Sequence, residues 1–359
     1  MKKFNNTVAY LTEPASYTQE LVKSVHERLF IKYRYLQKQT KHANNPVDSL
    51  FLSEISFVKR IRILHSDFKN HEKIIFNGYN RLDFWVLWFF QLFSSKKRLF
   101  FLESDTTLKI PKNRVKRLVK KSILNYLFTK KFVFGLSGGE HKHKDHFKFY
   151  GMSDDRIYFV PMVSNIKKFK GYPRKYKIPF VLLFVGRFVS LKNIEFLLIN
   201  FEKFLQNDST IILRLVGDGP LKSDLQKKYA HLSNVRFVGK KFNDDLINEY
   251  KKASALVLPS YKEQWGLVIN EAMASGLPVM ANKNVGAIDD LIVNRETGFV
   301  FDYEKPEDFI NHLTLLREQN TYEIFSKNAY LLLNNYWNYN LYYEKIIDAL
   351  KKNTNEKYV

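Results

Sequence analysis

In KEQWGLVINEAMASGLPV, residues 262–279, Glu263 and Glu271 stand eight positions apart, with Gly266 between them and a helix-forming run behind. An apolar run, Ala255-Leu256-Val257-Leu258, precedes the stretch and ends at Pro259-Ser260. Strand, small-residue loop and helix N-terminus, in that order, are how parallel α/β sheets hold a ligand at the carboxyl ends of their strands. The turn leaves backbone N–H groups unpaired, and the helix dipole favours negative charge there. Gly266 has no Cβ to keep a ligand away from the backbone. Glu271, about two turns into the helix, faces the same crevice and accepts hydrogen bonds from hydroxyls. The segment suits a ligand with both phosphate and hydroxyl groups.

A chain of 359 residues without obvious repeats fits two domains of ordinary size, and 45% hydrophobic residues supply real cores. The absence of cysteine excludes a disulfide scaffold, a Cys-ligated metal and a thiol nucleophile. The N-terminal MKKFNNTVAYLTEP has too short an apolar run for a signal peptide, and the longest apolar run, FWVLWFFQLF at 84–93, is about half a membrane span. These features predict a cytoplasmic protein. Residues 1–170 hold 33 Lys+Arg against 14 Asp+Glu, a balance of 33 − 14 = +19, whereas the remainder holds 25 against 22, or +3. That asymmetry points to an anionic partner, either nucleic acid or a membrane surface.

Alternating strands and helices predict an α/β protein with parallel sheets. In the first half, strands are expected at 7–11, near 61–64, and at 74–76, 98–102, 131–136 and 156–161. Helices are expected at 18–37, 82–93 and 112–129, and residues 38–72 are otherwise poorly patterned. The basic stretch 167–179, with Gly171, Pro173 and Pro179, interrupts both periodicities and is expected as a linker. The second half restarts with the strand FVLLFV at 180–185, followed by a helix at 194–205, a strand at 210–216, a helix at 220–229 and a strand at 235–238. The aromatic segment 336–351 is expected to be helical.

Further residues suit phosphate. Phe184-Val185-Gly186-Arg187 closes the first strand of the second half, with Lys192 one short loop later. Arg187 is a planar bidentate donor and Lys192 a mobile point charge, so together they neutralise a diphosphate. Val216-Gly217-Asp218-Gly219-Pro220 is a tight loop opening a helix, with proline suited to its first turn.

Glu263, seven residues, Glu271 and then AMASGLPV resemble the E-x7-E signature of the retaining group-1 (GT4-like) glycosyltransferases. The G-R-x4-K pattern of Arg187 and Lys192 and the G-D-G-P of 217–220 resemble the same family. The resemblance is specific over roughly 180–300 and architectural elsewhere. It implies the GT-B fold: two Rossmann-like doubly wound domains facing a central cleft where catalysis occurs, with a C-terminal helix crossing back to the first domain. The domains would be 1–166 (acceptor), linker 167–179, 180–335 (nucleotide sugar) and the returning helix 336–359. By the same resemblance Glu263 is the catalytic carboxylate, and Arg187 and Lys192 stabilise the leaving diphosphate. Glu271 would bind the ribose, and Gly217, Gly219 and Val238 would line the nucleotide pocket. The backbone around Trp265, Gly266 and Leu267 would hold the sugar and phosphate. No cofactor and no metal are implied.

The first half departs from the family. Glu13-Pro14-Ala15-Ser16 stands where a glycine pair commonly follows the first strand, and Glu103-Ser104-Asp105 where a histidine commonly contacts the donor sugar. Glu103 and Asp105 are therefore candidates for sugar or acceptor contacts. His141, His143 and His146 have no helical i, i+4 pair and no Cys or paired carboxylate to complete a metal site, so a solvated helix face is expected. In 112–127, Val115, Leu118, Val119 and Leu127 lie near one stripe among Arg114, Lys116, Arg117, Lys120 and Lys121. A basic amphipathic helix of this kind suits anionic headgroups, and the aromatic 82–93 helix adds insertion.

The expected activity is transfer of a sugar from a nucleotide-diphosphate sugar to a glycan acceptor, lipid-linked, in surface polysaccharide synthesis (capsule, O-antigen or lipopolysaccharide). It would take place peripherally at the inner face of the cytoplasmic membrane. The alternatives are a basic nucleic-acid-binding protein and a GT-B sugar phosphorylase or epimerase. Aromatics set in apolar runs, rather than between cations, argue against nucleic acid.

Overall fold

In the computed structural model the structure describes residues 4–38 and 50–352. The chain divides into two compact units, residues 1–165 with 339–359 and residues 166–338. Each contains one six-stranded sheet.

The first sheet comprises β1 (Thr7–Leu11), β2 (Lys32–Tyr35), β3 (Lys73–Asn77), β4 (Leu99–Ser104), β5 (Val133–Ser137) and β6 (Ile157–Phe159). Their order is β2-β1-β3-β4-β5-β6, all parallel. The inner strands are buried along nearly their whole length, as expected where helices cover both faces of a parallel sheet. The strand order reverses between β1 and β3, and such a switch point opens a crevice at the carboxyl ends.

The second sheet comprises β7 (Phe180–Val185), β8 (Ile211–Val216), β9 (Val235–Gly239), β10 (Ala255–Leu258), β11 (Val279–Asn282) and β12 (Gly298–Phe301). Its order, β12-β11-β10-β7-β8-β9, is also fully parallel and is the dinucleotide-fold arrangement, with its switch point between β7 and β10. The two stretches that carry Arg187 and Glu263 leave from that pair of strands.

Two secondary-structure expectations, the helix over 18–37 and the strand near 61–64, are corrected. The helix expected over 18–37 ends at Leu29, where Phe30 takes a left-handed conformation, and Lys32–Tyr35 pairs with β1 as an edge strand. The buried carboxylate of Asp67 holds that strand, accepting from Lys32 Nζ at 2.8 Å and Arg34 Nε at 2.9 Å. The strand expected near 61–64 is the middle of helix Phe57–Asn70, which buries Leu64 and Phe68 one turn apart. Of the stretch 38–72, residues 39–49 lie outside the described residues. The stretch 167–179 is packed on the second unit. Gly171 N donates to Ala274 O at 3.1 Å, and Arg174 Nε donates to Ser275 O at 2.9 Å. The final helix, Tyr339–Lys352, belongs to the first unit, where Lys73 Nζ donates to the Leu350 carbonyl.

His143 and His146 are buried, at 0% and 1% exposure, and so do not form a solvated face. His146 lies parallel to the Tyr79 ring, and burial lowers its pKa to about 4. The reason is tertiary: helix Lys144–Phe149 inserts His146 and Phe147 among Phe128, Tyr79 and Tyr150. Among the described residues no helix is long and apolar enough to cross a membrane.

Candidate functional site

At the β7/β10 switch point, backbone geometry draws three loops together. Gly186 N donates to Val216 O at 3.0 Å, Phe188 N to Asp218 O at 2.9 Å, and Gly217 N to Gly239 O at 3.0 Å. The loops after β7, β8 and β9 thus form one floor. Gly217 is required there, since a Cβ would lie 1.8 Å from the Gly186 carbonyl oxygen. Gly219 is also crowded, though less so, with Phe188 O 2.6 Å from a Cβ. Val238 sits at the carboxyl end of β9, half-buried, beside Gly239.

On this floor the Lys192 ammonium forms an ion pair with the Glu263 carboxylate, joining the loop after β7 to the loop after β10. Both side chains are mostly buried, at 17% and 21% exposure. Arg187 stands exposed on the same β7 loop. The Glu263 loop is pinned from the other side, where Gly286 N donates to Glu263 O and Ala287 N to Trp265 O.

Gly266, at φ +99, makes the left-handed turn that starts helix Leu267–Ala274. Within its first turn, Ile269 N donates to Gly266 O at 2.8 Å. Glu271 lies within the same helix. Tyr250 Oη, from helix Asn243–Lys252, donates to Glu271 Oε2 at 2.7 Å. Burial raises the Glu271 carboxyl to about 7, and the Tyr250 bond partly opposes this.

The Trp265 side chain does not join the site. It is buried, stacks on Trp337 with ring centroids 5.6 Å apart, and donates from Nε1 to Asn270 Oδ1 at 2.8 Å. Its contribution to the loop is through the backbone, and the indole anchors the turn.

Glu103 and Asp105 belong to the first unit, at its own switch point. A cavity there is lined by Thr12, Glu13, Tyr17, Asn77, Glu103, Asp105 and Tyr342, among others. Asn77 Nδ2 donates to Glu103 Oε2 at 3.3 Å and Tyr342 Oη to Glu103 Oε1 at 3.5 Å. Thr12 Oγ1 donates to Asn77 Oδ1 at 3.0 Å. Burial pushes the Glu103 carboxyl above its ordinary range, the Asn77 bond opposes this, and Asp105 adds to the rise. No lysine or arginine is among the described residues that line the cavity.

Sequence reasoning missed Tyr250, Asn77 and Tyr342. Asn77 was visible only as a strand end. The other two come from helices distant in sequence and have no motif of their own.

A family model described as Glycosyl transferases group 1 matches residues 165–332. The Arabidopsis thaliana sulfoquinovosyl transferase SQD2 is 37% identical over 175 residues, 48% of this chain and 32% of that protein. An Escherichia coli UDP-Gal:alpha-D-GlcNAc-diphosphoundecaprenol alpha-1,3-galactosyltransferase is 31% identical over 156 residues, 42% of this chain and 40% of that protein. The matches span well under two thirds of these relatives' lengths. Among solved structures, Anabaena HepE in complex with UDP superposes with a TM-score of 0.72 at 15% identity, covering 97% of this chain and all of that one. That similarity shows the GT-B fold, in keeping with the two parallel six-stranded sheets.

Proposed function

We propose, from the match of residues 165–332 to the group 1 glycosyl transferases, that the chain transfers a sugar, with retention and without a metal, from a nucleotide-diphosphate sugar to a lipid-linked glycan acceptor. The observation that carries this reading is the meeting of Lys192 and Glu263 at the β7/β10 switch point, with Arg187 on the same loop. A cationic floor beside a helix N-terminus fits a diphosphate. The acceptor hydroxyl oxygen bonds to the anomeric carbon, the sugar–phosphate bond breaks with its electron pair remaining on the diphosphate, and the hydroxyl proton passes to the departing diphosphate oxygen. Arg187 and Lys192 stabilise that developing charge, as fixed charges do best when placed before the reaction. Glu263 orients Lys192 and faces the donor sugar. Glu271 accepts from the ribose hydroxyls, and Gly217, Gly219 and Val238 border the base.

Glu103 and Asp105 hold hydroxyls of the acceptor in the first unit. The E. coli relative's name specifies a diphosphoundecaprenol-linked acceptor, which supports a lipid-linked acceptor and a role in surface polysaccharide synthesis. Helix Arg114–Phe128 supports peripheral attachment to the inner face of the cytoplasmic membrane. It buries Leu124, Leu127 and Phe128 but leaves Val115, Leu118 and Val119 exposed, at 69%, 64% and 53%, among five cations.

The test is calorimetric titration of UDP-, GDP-, ADP- and TDP-sugars against the protein and its Glu271→Ala and Arg187→Ala variants. Selective binding of one nucleotide class, lost in both variants, is the expected result. A folded protein that binds none of them would overturn the proposal.

A further inference from the structure

The first unit has a second cavity beside the acid-lined one, and the two flank the end of the same strand. Asn77, the last residue of β3, lines the acid-lined cavity, while Tyr79 and Asn80, just beyond it, line a groove of about 390 Å³. That volume lies within the range of small-molecule sites. Tyr79 and Trp85 form one wall, and helix Arg114–Phe128 forms the other through Val115, Val119, Ile123 and Leu124. Lys116 and Lys120 also line the groove.

The helix explains this arrangement. Val115, Val119 and Ile123 recur every four residues and make one apolar row roughly 12 Å long. Lys116 and Lys120 make the adjoining row, one residue over. Lys120 is held in place, donating to the Lys109 carbonyl at 3.0 Å and lying 5.1 Å from the Tyr150 ring centroid. The Tyr79 wall is fixed by its parallel contact with His146 and by the edge of Phe128. The rows are open to solvent: Val115, Val119 and Ile123 are 69%, 53% and 40% exposed. A straight apolar channel with cations along one side is complementary to a hydrocarbon chain that ends in phosphate.

We propose that this groove holds the aliphatic chain of the acceptor lipid, with its phosphate on Lys116 and Lys120 and its sugar in the neighbouring cavity around Glu103. The inference rests on the lipid-linked reading of the acceptor. It divides that substrate between two sites: the anionic and apolar portion goes to helix Arg114–Phe128, and the uncharged hydroxyl-bearing portion goes to the cavity that has no cation among its described lining residues.

The test uses the full chain and decyl phosphate as the probe, with decanol, inorganic phosphate and phosphatidylglycerol vesicles as comparisons. Binding is followed by calorimetry and by the fluorescence of Trp85. Saturable binding of decyl phosphate is expected, weakened at least tenfold in Val119→Glu and in the double variant Lys116→Ala/Lys120→Ala, with unchanged melting temperatures. Both variants alter surface positions, so the core is untouched. Equal affinity in Val119→Glu would overturn the proposal. So would displacement by inorganic phosphate as effective as by decyl phosphate itself, which would reduce the site to a cationic surface. If Val119→Glu releases vesicles but leaves decyl phosphate binding intact, the face adsorbs a bilayer and holds no chain. The nucleotide-sugar titration is independent of these arms. Its failure with decyl phosphate bound as expected removes the proposed donor chemistry and leaves the groove standing.

Discussion

The carboxyl ends of β7 and β10 and those of β1 and β3 are the same topological feature, a reversal of strand order in a parallel sheet, lined with opposite chemistry. The β7/β10 crevice carries Arg187 and the Lys192–Glu263 pair. The β1/β3 crevice carries Glu13, Glu103 and Asp105, and no cation among its described lining residues. Yet the first 170 residues hold nearly all the net positive charge, 33 basic against 14 acidic residues. Five of those cations stand on helix Arg114–Phe128, and none is among the described residues that line the crevice. Charge summed over a unit therefore says little about the charge in its crevice, because the fold distributes side chains between surface and crevice.

The contrast breaks most sharply at the ion pair. Lys192→Ala and Glu263→Gln are expected to lower the rate of nucleotide-diphosphate release with acceptor present by about 10²–10³-fold, the cost of removing one fixed transition-state charge. Steady-state kinetics would show it in kcat. A change confined to KM would place the pair in ground-state binding only.

In the other crevice the effect should fall on the acceptor. Glu103→Ala is expected to lower kcat/KM for the acceptor by about 10–100-fold, the scale of ~1.5–3 kcal/mol for hydrogen bonds to a charged group. Donor affinity should stay unchanged in that variant. Weakened nucleotide binding would instead assign Glu103 to the donor side.

Tyr250→Phe sharpens the comparison within the second unit. It removes the hydrogen bond to Glu271, and about tenfold weaker donor binding is expected, near the lower end of the same range. Because that bond holds the Glu271 carboxyl down, the variant's midpoint for donor binding should move to higher pH.

The smallest effect is on pH dependence. Glu271 is raised by burial from 4.5 to about 7, and only its ionised form accepts two sets of hydroxyl hydrogen bonds. Donor affinity should rise several-fold from pH 6 to 8 and be flat in Glu271→Gln. The sign for stability is the reverse. A carboxyl with a raised native pKa binds more protons folded than unfolded between those values, so stability falls as pH rises through that window. The melting temperature of Glu271→Gln should gain on that of the unmutated protein over the same interval.

The second unit was legible because its signals are local. Phe180–Val185 and Ala255–Leu258 are short apolar runs bounded by turn residues, and each leads directly into the residues that meet at the switch point. The first unit was less legible because its decisive contacts are remote. Lys32–Tyr35 carries a pattern compatible with continuing the preceding helix, and becomes a strand through Asp67, more than thirty positions away. Ile61 to Leu64 has strand-like composition, but its helical period over Phe57–Asn70 places Leu64 and Phe68 on the core side. Trp265 sits inside the motif, yet its side chain is taken by Trp337.

By itself the sequence determined the α/β alternation and the placing of Glu263, Gly266 and Glu271 in one strand–loop–helix segment, since spacing along one strand, loop and helix dictates which groups share a turn. Only the tertiary structure decided which side of helix Arg114–Phe128 is open, that His143 and His146 are buried, and that Glu103 stands in a cavity with no cation among its described lining residues. Those properties depend on which distant surfaces cover a residue, and burial sets whether a side chain is solvated, charged or available to a ligand.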